Sequence, residues 1–447
     1  MTEPVDSGLP SWPFIPAGRG PLAIERAEGP WLITPDGRRI LDAAGGAIVA
    51  SLGHGRREVA EAVAEALRNA SYVVPPFATP ERERLVRRLR ERWLPSALTR
   101  VYLASGGSEA VDAAIRIARQ HHVAAGHPER TEVLSRRTSY HGATLSTLAL
   151  GGHVGRRAGL EPLLPPEHKL PACYCLRCPL GLAHPGCAIA CASRLEESID
   201  ALGPGRVAAF VAEPIVGSSG GALVPPEDYW PRIGEICRRH GVLLIADEVM
   251  TGFGRTGRRF AIEHFGIEPD LLVSGKGLAA GYAPICGVFA TEAVVEPLAR
   301  SGADVMFYTY GAHPAACAAA DRVLEILEVE KGVEAAERAG AQLRARLSSL
   351  EGHPHVAEIR GRGLLIAVEL VRDRQTLEPF APEARLTQRV VAAGLRRDVF
   401  FYPGGSGEGR SVVLLGPPFD IGPPELEQMA AALEAAIDEA CARCARD

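Results

Sequence analysis

Lysine is almost missing from this chain of 447 residues. Lys169, Lys276 and Lys331 are the three present, and Arg supplies the other side-chain cations. So strong a bias makes each retained amine informative. Excess positive charge is missing too: the net charge is −5, so no basic surface argues for a nucleic-acid partner. No apolar run approaches the length of a membrane span. The N-terminus, MTEPVDSGLPSWPF, has neither the basic nor the apolar stretch of a secretory signal. These absences predict a cytoplasmic protein without a nucleic-acid or membrane partner. Cysteine is not scarce, but ten in a chain this long do not imply a disulfide scaffold. The length suffices for a large core and two or more domains.

Residues 1–30 are rich in Pro and Gly and read as an arm laid over a surface. Helical periodicity follows from Arg57 to Ala70 and from Glu81 to Trp93. From about 100 to 290, short apolar runs alternate with helix-like segments. The strand candidates are RVYLA, TEVLS, VAAFVAE, VLLIAD, DLLVS and ICGVFA. That alternation predicts an α/β fold, a mostly parallel sheet covered by helices. After Tyr310 the pattern changes to helices at Pro314–Val329 and Gly332–Leu350, strands GLLIAVEL and SVVLL, and a terminal helix from Pro424 to Arg443. These predict a smaller α+β domain.

Four motifs carry candidate chemistry, and one of them is a pair of residues that end apolar runs. Asp247 closes GVLLIAD and Lys276 follows PDLLVSG, so each falls at a strand's C-terminal end, where open parallel sheets bind ligands. A carboxylate beside a ring nitrogen keeps it protonated, and a lysine amine forms a Schiff base and then shuttles protons. In SGGSEAVDAAIRIARQ, Gly106 and Gly107 follow a strand, and Ser108 sits where a helix N-cap belongs. Such a turn suits phosphate, or is simply a capped helix. In SYHGAT, Tyr140 stacks on a flat ring or packs in the core. Glu213, in VAEP, contacts a cofactor or pairs with an Arg such as Arg255.

The ordered set SGGSEA, YHG, AEP, ADEV-TGFGRTG, SGKGLAAGYAP and TYGAHPAACAAA resembles the class III pyridoxal-phosphate-dependent aminotransferases, the omega-aminotransferases among them. The resemblance runs from LDAAGGAIVASLGHG to the PPF near the C-terminus. It implies fold type I, with an arm and part of the small domain at 1–55, a large cofactor domain at 56–312 and a small domain at 313–447. It implies pyridoxal 5'-phosphate, with Lys276 carrying the aldehyde and Asp247 pairing the ring nitrogen. Gly107 and Ser108 would hold the phosphate, Tyr140 would stack on one ring face and Val249 would pack on the other. His141 and Glu213 join the cofactor contacts. Thr309 matches a threonine that reaches the partner subunit's phosphate, which implies a homodimer with shared sites. Trp12, Phe14, Phe77 and Tyr310 match pocket walls.

The expected activity moves an amino group from an amine, ω-amino acid or amino acid to a keto acid such as pyruvate, by ping-pong kinetics. Racemisation, epimerisation, amine migration or decarboxylative transamination on the same scaffold is the alternative. A non-catalytic binding protein is the third reading. Two departures stand out. Ala312 replaces a family Gly, which is tolerable unless the position needs positive φ. Leu414 stands where some relatives carry a carboxylate-binding Arg, and Arg410, in GGSGEGRS, is either its substitute or a solvated loop residue. One segment falls outside the pattern, PACYCLRCPLGLAHPGCAIACAS at about 171–192. Its cysteines are Cys173, Cys175, Cys178, Cys187 and Cys191, the last two sharing a face if helical. No metal is expected, since the spacing matches no common finger or ferredoxin. Buried thiols or a local disulfide are the reading, with structural zinc or an iron–sulfur centre as the alternative.

Overall fold

The computed structural model describes residues 22–166, 168–302, 304–405 and 410–444. Trp12 and Phe14 lie outside the described residues. The centre of the fold is a seven-stranded sheet made of β1 (Leu98–Ala104), β2 (Glu132–Arg136), β3 (His168–Leu170), β4 (Val207–Ala212), β5 (Leu243–Glu248), β6 (Leu271–Ser274) and β7 (Cys286–Thr291). Their order is β1-β7-β6-β5-β4-β2-β3. Only β7 runs against its two neighbours; the other pairings in this sheet are parallel.

Parallel strands covered on both faces must be apolar along their whole length. In β4, Val207, Phe210 and Ala212 join one core while Ala209 and Val211 join the other. In β5, Leu244 and Ala246 face the first core, and Leu243 and Ile245 the second. The period of two continues, so Asp247 falls on the same face as Ile245. That face is covered by α1 (Gly107–Ala124), whose Ala110, Ala113, Ala114 and Ala118 let it approach closely. The opposite face packs on α2 (Ala190–Leu202) and on the helix Tyr229–His240, with Trp230 fully buried.

All six predicted strands of this sheet are present. β3, three residues long, was missed because it is too short to show a period. The predicted helix at Glu81–Trp93 begins at Pro80, where Thr79 Oγ1 accepts from Arg82 N, and runs on to Trp93 with a wider last turn. The proposed arm, residues 1–30, ends in a strand, Arg26–Glu28; beyond it Trp31–Ile33 and Arg39–Asp42 are strands too, and the last pairs in parallel with Val399–Phe400. A second sheet, from Val356–Arg362, Leu365–Leu370, Ser411–Leu415 and Tyr402–Gly404, forms the C-terminal body with the helix Pro423–Cys444. Leu414 is fully buried in it. Among the described residues, no helix is long and apolar enough to cross a membrane.

Ala312 is a correction. Its φ is +58°, the left-handed region, so the Gly that relatives carry there had a conformational reason. Ala312→Gly is expected to stabilise the protein by about 0.5–1 kcal/mol, the relieved strain exceeding the entropy that glycine adds to the unfolded chain. A rise in the urea midpoint at unchanged slope is the measurement; a fall would remove the strain argument.

Candidate active site

Five strand ends deliver side chains or helix starts to one edge of the sheet. Beyond β1 lies the start of α1; beyond β2, Tyr140 and His141; beyond β4, Glu213; at the end of β5, Asp247; and beyond β6, Lys276. Gly107, Ser108, Tyr140, His141, Glu213, Asp247, Val249 and Lys276 line one cavity of about 220 Å3. The sequence-predicted cofactor residues, Thr309 excepted, therefore meet in space. Thr309 and Phe77 are exposed, and they and Arg410 are outside this lining.

Asp247 is buried. Its Oδ2 lies 2.7 Å from His141 Nδ1, and its Oδ1 accepts from Val249 N at 3.1 Å. An ionised carboxylate only accepts, so Nδ1–H of His141 is the donor, and the carboxylate keeps lone pairs for a further partner. His141 Nε2 is buried with no hydrogen-bond partner among the described residues. Glu213 does not pair with Arg255, contrary to the salt-bridge reading. Arg255 donates to the carbonyls of Leu364 and Pro417, while Glu213 accepts from Tyr140 N at 3.1 Å and Gly217 N at 2.9 Å. Burial raises the Glu213 carboxyl above its ordinary value. Its role is to fix the backbone that carries Tyr140.

Lys276 has φ +34°, an uncommon conformation for a side-chain-bearing residue. Its Nζ donates to Ala47 O at 3.0 Å. Desolvation lowers its pKa to about 8, against the opposing pull of Asp247 and Glu213. The neutral amine, which is the nucleophile, therefore predominates above pH 8 rather than above 10.5. The rate at which cofactor-free protein captures pyridoxal phosphate is expected to climb up to about pH 8 and then level off. Stopped-flow absorbance measures it, and a rate still climbing tenfold per unit beyond pH 9 would contradict the shift.

The α1 turn differs from its prediction. Gly106, not Ser108, is the N-cap, and no side chain caps the helix. Ser108 Oγ instead accepts from Ala143 N at 2.9 Å. First-turn amides of α1 thus lie at the cavity end that Gly107 and Ser108 line, a setting that favours an anion. Gly142 is required here: its φ is +145°, and a Cβ would stand 2.6 Å from Ser108 Oγ. Gly275, before the lysine, has no room either, since a Cβ would meet Cys286 Sγ at 2.2 Å. Glu248 beside Asp247 is structural. It accepts from Ala261 N and Ile262 N at 2.8 and 2.7 Å, and burial raises its carboxyl to about 7.

Ala47 O, Ser218, Ile215, Met250 and Cys286 were missed from sequence. A backbone oxygen has no residue signature, and small or apolar lining has none either. An uncapped helix start, an orphaned ring nitrogen, a buried carboxylate and a lowered-pKa amine around one cavity fit pyridoxal phosphate.

Residues 15–437 match the model of the family Aminotransferase class-III. An uncharacterized aminotransferase of Bacillus subtilis, YodT, is 36% identical over 91% of this chain and 92% of its own. A putrescine–pyruvate aminotransferase of Pseudomonas aeruginosa is 32% identical over 95% of this chain and 92% of its own. The crystal structure of an (S)-enantioselective omega-transaminase from Thermomicrobium roseum superposes with a TM-score of 0.88 at 38% identity, over 94% of this chain and 93% of that one. The fold is type I of the pyridoxal-phosphate enzymes, and the protein belongs to the class III aminotransferases.

Proposed function

We propose that the enzyme transfers an amino group from an amine, ω-amino acid or amino acid to a keto acid such as pyruvate, in two half-reactions at the Lys276 cavity. The observation that carries this reading is the convergence of Lys276, Asp247 and the uncapped start of α1 on that cavity. Bound there, pyridoxal phosphate supplies an aldehyde for the amino group and a protonated ring that withdraws electrons from the carbon being deprotonated. Asp247 is placed to hold the proton on the ring nitrogen, and His141 holds Asp247. Gly107 and Ser108 receive the phosphate. Tyr140, whose ring has the Arg156 guanidinium 4.1 Å from its centroid, would stack on one face of the cofactor ring, and Val249 would pack on the other. Lys276 Nζ would hold the cofactor's aldehyde and, once free, would be the base that moves the proton at the donor carbon.

A homodimer completes the site in this reading. Thr309 lies in an exposed stretch with Met306, Phe307 and Tyr310, and Phe77 is 66% exposed, so a second copy would cover apolar surface and receive Thr309. Arg410 is the proposed carboxylate-binding residue. It is not a solvated loop residue: its guanidinium lies 5.0 Å from the ring centroid of Tyr174, and burial lowers its pKa. Arg410→Ala is expected to raise the apparent KM for pyruvate about tenfold, with less effect on a carboxylate-free amine donor. An unchanged KM would remove Arg410 from the substrate site.

The decisive experiment follows the visible absorption of the cofactor-loaded enzyme while β-alanine, alanine, a diamine and 1-phenylethylamine are added without acceptor. Stoichiometric loss of the band with one donor, restored by pyruvate, is the expected result. A band that persists with every donor favours racemase-type chemistry.

A further inference from the structure

The cysteines of the segment between β3 and α2 have no role in the chemistry above. Cys173, Cys175, Cys178, Cys187 and Cys191 all line one small cavity of about 20 Å3, together with His184. A hole of that size admits one ion or one water. Buried free cysteines normally pack singly as small hydrophobes, as Cys237 and Cys317 do here. Five thiols round one hole are a different arrangement.

Their spacing divides into two short arms, Cys175-x2-Cys178 and Cys187-x3-Cys191. Two such arms are what a tetrahedral thiolate site takes from a loop. Cys187 is not on α2, as equal helical faces would require, because the helix begins at Ala190. Between the two cysteines, Ala188 and Ile189 adopt φ of +46° and +53°. Two successive left-handed residues, one of them β-branched, are strained. Cys173 is buried behind the others, with its thiol in hydrogen-bonding contact with Cys191, which also receives the amide of Ala192 at the start of α2. His184 is engaged outward, with Nε2 3.4 Å from Asp228 Oδ1.

The surroundings carry charge of the matching sign. Arg136 is 1% exposed and close to Cys173 and Cys191. Its Nη2 donates to Glu213 O, but its Nε has no hydrogen-bond partner, and among the described residues no carboxylate lies within ion-pair distance. A buried guanidinium that shares only the longer-range charge of Glu213 and the face of Trp230 can take a further anionic partner. Four thiolates on a divalent cation carry a net charge of about −2, which Arg136 and the α2 N-terminus would balance.

We propose that Cys175, Cys178, Cys187 and Cys191 bind one zinc ion, as a structural site. Among the described residues no three such side chains already meet around one point. Each cysteine has a single side-chain torsion, and a change of rotamer turns a lining thiol into a ligand. On binding, each of the four thiols gives its proton to water, so loading falls at low pH. The ion would brace the loop that carries Tyr174 and Arg177, both of which hold Glu369 in the C-terminal sheet.

The test uses full-length enzyme expressed with added zinc and purified without chelator. Elemental analysis should find about one zinc per chain, released as a mercurial reagent titrates four thiols. Cys178→Ser and Cys187→Ser should each reduce zinc to below roughly a tenth per chain while the visible cofactor band is retained. Cobalt-grown protein should show the thiolate-to-metal absorption of a tetrahedral site. Wild-type protein with less than a tenth of a zinc, whether its thiols titrate freely or map to a disulfide, overturns the proposal. So does zinc that survives in both variants, which places the ion elsewhere.

Discussion

Lys276→Ala should leave a folded protein that no longer transfers amino groups, with kcat lowered on the order of 10^4-fold. The reason is positional. Nζ is the one amine in the cavity lining, since Lys169 is elsewhere on β3 and Lys331 begins a C-terminal helix. No neighbouring group inherits its role, because Asp247 and Glu213 sit at fixed hydrogen bonds of their own. Truncation also leaves Ala47 O without its donor, a loss that costs stability but is relieved by water from the cavity. Single-turnover absorbance with an amine donor measures the effect. Residual turnover within a factor of ten of wild type would show that another group moves the proton, and the assignment of Lys276 would fail.

Asp247→Asn should produce the second-largest loss, about 10^2 to 10^3-fold in kcat, with a smaller change in cofactor affinity. The amide keeps the shape of the carboxylate and its one oxygen still accepts from His141 Nδ1, at the expense of the bond from Val249 N, while the negative charge is lost. The loss of charge should appear mainly in the rate of proton removal rather than in binding. Comparing kcat with the dissociation constant for pyridoxal phosphate separates the two. Equal losses in both would make Asp247 a binding residue only. Asp247 also opposes the desolvation of Lys276, so Asp247→Asn should lower the lysine's pKa below about 8 and shift the capture profile to lower pH.

The strands of the large sheet and the chemistry at their ends were readable because Asp247 and Lys276 interrupt apolar runs that are otherwise unbroken. Gly142 and Gly275 were readable as motif glycines, although only the contacts with Ser108 and Cys286 explain them. What was hidden depended on backbone or on distant partners. Composition does not disclose that Ala312 is left-handed, or that Ala47 offers a carbonyl to the lysine. Arg410 stayed open between a carboxylate binder and a solvated loop residue because its neighbours in sequence are small and polar, whereas Tyr174, which packs on it, belongs to another part of the chain. Ser108 resembled a cap because residue type and spacing allowed it, and the helix simply began two positions earlier, at Gly107.

The bond from Lys276 Nζ to Ala47 O makes the segment Gly45–Ala50 a built-in gauge of occupancy. Val49 N and Ala50 N both donate to Gly45 O, Ile48 N donates to Ala44 O and Gly46 N to Asp42 Oδ2, whereas Ala47 O has the lysine as its donor, beside two left-handed glycines, Gly45 and Gly46. Once the amine is committed elsewhere, Ala47 O loses its donor, and the turn opens more often. Deuterium uptake at Val49 and Ala50 should then track how many lysines are covalently engaged, sample by sample, with no chromophore and no substrate.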